Sequence, residues 1–316
     1  MERFAAPFPY FGGKKAIASE VWARFGSPKH YIEPFCGSAA MLLAAPQIAS
    51  LEVISDWNGF IANFWRCVAH QPEETARWAD YPVSHIDLTA RHVWLTAQRA
   101  RLTEALTDAD WHGDPKVAGW WLWGQCAWIG SGWCEWDRDN PGGKIPSIGS
   151  GGMGIFSYAP SKLVPEDPRM MTSCGSVALF WLKKLQRRLN RVRILHGDWS
   201  RCLNNTYGGE STAVFLDPPY LNYEGIYSKG EPLSQAVSRW AIENQDTIRI
   251  ALCGFDDYTL PGWDVLNWVR PTGMGQNKSR DLETVWFSPG CLKKEVLPPL
   301  YRFEAKAEEE DGVNFL

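Results

Sequence analysis

The segment VFLDPPYLNY, residues 214–223, concentrates chemistry. An acid, two prolines and a tyrosine follow directly on an apolar run of the kind that forms a buried strand. Proline fixes φ and lacks an N–H, so Pro218 and Pro219 hold the chain rigid beside the Asp217 carboxylate and turn backbone carbonyls outward. The result is two fixed acceptors. The planar amino group of adenine or cytosine has two N–H bonds to donate, but its lone pair is delocalised into the ring and attacks poorly. Asp217 and the Pro218 carbonyl, by accepting both protons, would draw the nitrogen toward tetrahedral geometry and aim its lone pair at an electrophilic carbon. Tyr220 would stack on the base, the usual service of aromatics to a base drawn out of a duplex. In isolation so short a motif is also compatible with a turn that merely ends a strand.

Three further strand endings have similar character: Glu33-Pro34-Phe35-Cys36-Gly37, Ser55-Asp56-Trp57-Asn58 and Gly197-Asp198-Trp199. In open α/β sheets ligands lie beyond the carboxyl ends of the strands, so the four endings describe one pocket. A glycine turn lets a ligand approach the backbone, and an acid ending the next strand can accept from ribose hydroxyls. Asp198 could receive an adenine amino group. Each acid alone is equally compatible with a helix N-cap.

The elements that must position these residues alternate. HYIEPF around Tyr31, LEVISD from Leu51, VRILHGD from Val192, TAVFLD from Thr212 and IRIALCGF from Ile248 read as buried strands. SAAMLLAA, NGFIANFWRCVA, SVALFWLKKLQRRLN and PLSQAVSRWAIENQ read as helices between them. This βαβα order predicts an α/β fold, a mostly parallel sheet covered on both faces. WDVLNWV and LETVWFS lack a connecting helix and predict an antiparallel hairpin at the sheet edge. Residues 69–175 break the rhythm and read as an insertion. The expected organisation is therefore a discontinuous catalytic domain of residues 1–68 and 176–304, the insertion, and an acidic tail at 305–316. Trp-rich GWWLWGQCAWIGSGWCEW, residues 119–136, reads mainly as the aromatic core of the insertion.

Composition narrows the classes. Of 316 residues, 45% are hydrophobic and 22% charged, which fits a folded globular protein. No apolar stretch reaches membrane-spanning length and no basic-then-apolar leader opens the chain, so a cytoplasmic location is expected. The eight cysteines are dispersed, without a Cys-x-x-Cys pair or neighbouring histidines at ligand spacing, so no metal site is expected. A net charge of −4 argues against a generally basic coat, although Lys183, Lys184, Arg187, Arg188, Arg191 and Arg193 could form a local groove. Gly149 to Gly154 satisfies G-x-G-x-x-G but follows no strand and opens no helix, and Gly142-Gly143-Lys144 reads as a turn.

Taken in order, the motifs resemble the Dam-type family (D12 class, alpha-group) of DNA adenine-N6 methyltransferases. PFPYFGGKK is similar to the family's opening motif through Tyr10, Gly12, Gly13 and Lys14. YIEPFCGSAAML resembles its cofactor loop, VISDWNGFI its ribose-binding acid and following asparagine, and LDPPY its catalytic motif. NKSRDLETVWFSPG, residues 277–290, is similar to its final basic loop and edge strand. The resemblance implies a Rossmann-like fold, S-adenosylmethionine as cofactor, and direct in-line methyl transfer to N6 of a flipped-out adenine in DNA. It assigns Tyr10, Gly12, Gly13, Lys14, Glu33, Phe35, Gly37, Ser38, Asp56, Asn58 and Asp198 to the cofactor. Asp217, Pro218, Pro219 and Tyr220 would hold the target base. By position, the insertion becomes a mainly helical target-recognition subdomain, with Arg138, Lys144, Lys162, Lys278 and Arg280 as DNA contacts. Where the family commonly has a second glycine in the cofactor loop, this chain has Ala39, which is tolerable if φ stays negative there.

Other planar amines fit the same cradle: cytosine N4, adenine in RNA, or a glutamine amide. A more distant alternative is a DNA-binding protein that retains an idle cofactor fold.

Overall fold

In a computed structural model, the described residues are 4–8, 14–108, 110–127, 133–134, 177–203, 211–219, 232–254, 258–269 and 282–293. The apolar runs form β1 (His30–Glu33), β2 (Leu51–Asp56), β3 (Val192–His196), β4 (Thr212–Leu216) and β5 (Arg249–Gly254). These five pair in parallel. All residues of β4 are buried, as a strand covered on both faces requires. β6 (Asp264–Val269) and β7 (Leu282–Phe287) complete a seven-stranded sheet in the order β3-β2-β1-β4-β5-β7-β6, with β7 antiparallel to both neighbours. This is a Rossmann-like arrangement. The strand order reverses between β1 and β4, and ligands of doubly wound sheets gather at that switch point.

The covering helices are α1 (Ala18–Phe25), α2 (Ala40–Leu43), α3 (Gly59–His70), α4 (Pro72–Ala79), α5 (His85–Ala105), α6 (Pro115–Ala127), α7 (Val177–Leu189) and α8 (Leu233–Asn244). Asn58 caps α3 by accepting from Phe60 N at 3.0 Å, Ser84 caps α5, and Pro72 opens α4 where its missing N–H costs nothing. α2 is one turn rather than the longer helix read from SAAMLLAA. Ala39 enters it in a left-handed conformation, and Pro46 biases Ala45 away from helix.

α4 and α6 pack on α3 and α7, and their apolar residues join one core with the β1 side of the sheet. The described tryptophans of the 119–136 segment behave as core: Trp121, Trp123 and Trp133 are buried, and Trp123 Nε1 donates to Tyr81 O at 2.9 Å. Cys36, Cys67, Cys126, Cys134, Cys202, Cys253 and Cys291 are buried free thiols. The basic run on α7 divides. Arg188 turns inward to a bidentate pair with Glu52, at 2.6 and 2.8 Å, and Lys183 pairs with Glu73 at 3.0 Å. Arg187, Arg191 and Arg193 are exposed, so a continuous groove of six cations does not form.

Candidate active site

Parallel pairing puts the four strand endings side by side. Glu33 is in register with Ile54 on β2, Asp56 with His196 on β3, and Ile32 with Val214 on β4, three residues before Asp217. Glu33 and Asp217 therefore flank the switch point. Glu33, Asp56 and Asp217 are close enough to act on one another electrostatically.

Asp217 is the best-placed of these acids to meet a substrate, being 20% exposed at its side chain. Lys14, at the start of a 3₁₀ turn (Lys14–Ile17), donates from Nζ to Asp217 Oδ2 at 2.8 Å. The second oxygen, Oδ1, has no hydrogen bond among the described residues. One oxygen is thus anchored by a charge-assisted bond while its twin keeps its acceptor capacity on a part-exposed side chain. Pro218 is buried behind it, and Pro219 is half-buried. Lys14 also lies 3.3 Å from Glu283 Oε2 on β7, and Glu283 is fully buried. No expectation from sequence included Glu283. An acid at the second position of LETVWF reads as a solvent-facing strand residue. The available signal was topological: a strand antiparallel to the others begins where the parallel strands end, so its first residues reach the site.

Glu33 and Asp56 organise the loop between β1 and α2. Glu33 Oε2 accepts from Tyr31 Oη at 2.9 Å and from Leu42 N at 3.1 Å. Asp56 Oδ2 accepts from Gly37 N at 3.0 Å and Oδ1 from Asn58 N at 2.8 Å, while Gly37 O accepts from Trp65 Nε1 at 2.9 Å. Each Asp56 oxygen keeps a lone pair for a hydroxyl. Asn58 is committed to its cap, and Ser38 is buried within the loop. Gly37 has φ 46°, which glycine accepts without strain. Ala39 has φ 50°, so the condition of a negative φ at this position is not met. In an L-residue this conformation costs about 1–2 kcal/mol, so the loop keeps its left-handed turn despite the methyl.

Burial pushes the Glu33 carboxyl up to about 8; the bonds from Tyr31 and Leu42 oppose this, and the Asp217 and Asp56 charges add to it. Burial likewise raises Asp56 to about 6 against its two backbone donors. A raised acid keeps its proton in the folded state where the unfolded chain has lost it. The stability Glu33 contributes is therefore complete below 4.5 and disappears as pH rises through about 8; for Asp56 the window runs from 3.8 to about 6. The ligand-free protein should accordingly melt at progressively lower temperature as pH is raised from about 5 to about 8.5. Glu33→Gln, which imitates the protonated acid, should flatten most of the upper part of that slope. An unchanged slope in this variant would show that Glu33 is ionised throughout.

At the β3 ending, Asp198 caps a short 3₁₀ turn (Trp199–Cys202), accepting from Ser200 N at 2.9 Å. Phe35 stacks on Trp199, with ring centroids 6.1 Å apart and planes 24° from parallel, and makes a flat apolar wall beside the loop. Tyr10, Gly12, Gly13, Arg138, Lys144, Lys162, Tyr220, Lys278 and Arg280 lie outside the described residues. Among the described residues no group of acids, histidines and cysteines could hold a metal ion, and no helix is long and apolar enough to cross a membrane.

Comparison with curated proteins gives no match. A family model does match, over the segment that holds Lys14, the Glu33 and Gly37 loop, Asp56 and the Asn58 cap. The activity that family carries in general is adenine methylation in DNA. Residues 10–84 of this chain match the family of the D12 class N6 adenine-specific DNA methyltransferases.

Proposed function

We propose that this chain transfers a methyl group from S-adenosylmethionine to N6 of an adenine drawn out of DNA, and that Asp217 and the Pro218 carbonyl hold the amino group during transfer. The observation that carries this reading is the Asp217 carboxylate at the switch point, part-exposed, with Oδ2 tethered to Lys14 at 2.8 Å and Oδ1 without a hydrogen bond among the described residues. A carboxylate held in this way is ready for a donor before the donor arrives, which is how preorganised electrostatics lowers a barrier.

The residues present suit the cofactor. A glycine turn without a Cβ, the Asp56 acid at the β2 end and the flat Phe35–Trp199 wall fit a nucleoside. When bound, S-adenosylmethionine supplies a methyl carbon activated by its sulfonium. The protein's own residues do the remainder. Asp56 accepts a ribose hydroxyl, and Phe35 borders the cofactor. Asp198 meets the adenine ring of the cofactor, Asp217 and Pro218 orient the target amine, and Tyr220 stacks on the target base. Asp217 Oδ1 is also placed to take the proton that the methylated nitrogen sheds. Tyr10, Gly12, Gly13 and Lys14 border the cofactor from the N-terminal side. Residues 69–175 serve as the target-recognition part, with Arg138, Lys144 and Lys162, together with Lys278 and Arg280, on phosphates.

The test is to incubate the protein with DNA, RNA and a protein mixture in separate reactions with methyl-labelled cofactor, and to digest each product. The expected result is label in N6-methyladenine from DNA alone. Label in N4-methylcytosine, in RNA or in glutamine would move the acceptor to that class. No label in any product would leave a binding protein.

A further inference from the structure

Glu283 is the second residue of β7 and reaches Lys14 beside the site, and nothing about the catalytic motif requires it. Lys14, 3% exposed, and Asp217 already form a neutral pair at 2.8 Å. A second carboxylate with no exposed surface, 3.3 Å from the same ammonium, adds the cost of burying one more charge. That cost calls for a positional return. The register supplies one: Thr284 pairs with Gly254 at the carboxyl end of β5, and Glu283 pairs with Trp268 on β6. Glu283 is thus fixed by its own pairing with β6 and by that of the next residue with β5, whereas the Lys14 ammonium is carried by a flexible side chain on a 3₁₀ turn.

From this geometry we infer that Glu283 is a positioning residue for methyl transfer: it stands behind Lys14 and holds the ammonium against Asp217 Oδ2, which fixes the rotation of the carboxylate and leaves Oδ1 toward the target amine. This rests on the functional reading above. Without Glu283, the ammonium loses the buried carboxylate that fixes it opposite Asp217, and its hold on Oδ2 loosens. Asp217 then presents Oδ1 in the right direction for only part of the time. Displacements of about 1 Å at a reacting group can cost roughly a hundredfold in rate.

The experiment compares wild type, Glu283→Gln, Lys14→Met and the double variant in single-turnover transfer and in thermal unfolding. Expected for Glu283→Gln is a rate lower by about tenfold to a hundredfold, with cofactor KM within about threefold of wild type. Expected for the double variant is a rate no lower than that of Lys14→Met, because both changes act through one ammonium. In unfolding, Glu283→Gln should cost Lys14→Met less melting temperature than it costs wild type, because the buried acid has already lost the Lys14 ammonium in that background. An unchanged rate in Glu283→Gln, or losses that multiply in the double variant, would overturn the inference. Were the wild type to methylate no acceptor, the functional reading would fall, and the unfolding cycle would still decide the coupling: additive shifts would refute it.

Discussion

Asp217→Ala will lower single-turnover methyl transfer by about 10²–10³-fold or more, while the protein remains folded and binds cofactor with little change. The expected loss is that of a preorganised group aimed at charge that develops during reaction. The folded state tolerates the change because Asp217 is 20% exposed and Lys14 keeps its contact with Glu283 at 3.3 Å, so no buried cation is stranded. Asp217→Asn separates two functions of the carboxylate. An amide still offers one oxygen to the target amine but also presents N–H donors, which would repel Lys14 and the amine alike. Its activity should fall nearly as far as that of the alanine variant. Rapid-quench measurement of product, with calorimetric titration of cofactor in parallel, checks both statements. Equal losses in cofactor affinity and rate would instead assign Asp217 to cofactor binding.

Arg188→Met should produce the largest loss of stability. The guanidinium binds both oxygens of Glu52 and also donates to Leu42 O at 3.1 Å, with all three groups buried. Removing it leaves the Glu52 carboxylate without its buried cation, at about 3–5 kcal/mol, or roughly 5–8 °C in melting temperature for a chain of this size. Replacing both partners, Arg188→Met with Glu52→Leu, should recover most of the loss, since a buried ion pair exchanged for apolar groups is often close to neutral. The effect should reach the site as well. Leu42 receives Arg188 at its carbonyl and gives its N–H to Glu33, so the single variant should loosen the loop between β1 and α2 and, on the proposed function, raise cofactor KM. Thermal unfolding of the single and double variants, with cofactor titration, measures both effects. A double variant as unstable as the single one would mean that packing around α7, rather than charge, sets the loss.

The sheet was legible because its strands are short apolar runs that end in acids, glycine or proline, and burial on both faces leaves few other ways to write a parallel strand. The same feature located the site: Glu33, Asp56, Asp198 and Asp217 each follow directly on a run, and parallel pairing brings such endings to one edge. What sequence could not convey was how each side chain divides its bonding. Asp56 looked like a pair of free acceptors, yet both oxygens already take backbone N–H groups. Asn58 looked like a ligand-facing residue and caps α3. The α7 cations looked like one surface, but Arg188 and Lys183 find partners that are distant in sequence, on β2 and α4. Ala39 broke a local rule, since its left-handed conformation is imposed by the closure of the loop and not by its own preference. Glu283 was invisible for the same reason as Arg188: its partner Lys14 is at the other end of the chain.

The most direct measurement is a crystal structure of the protein with the demethylated cofactor product and DNA that contains its target adenine. The expected result is an extruded adenine whose N6 lies about 2.7–3.2 Å from both Asp217 Oδ1 and Pro218 O, with Lys14 still on Oδ2. A structure in which the amine is held by other groups, or in which Oδ1 has turned inward while Oδ2 faces the base, would contradict the account.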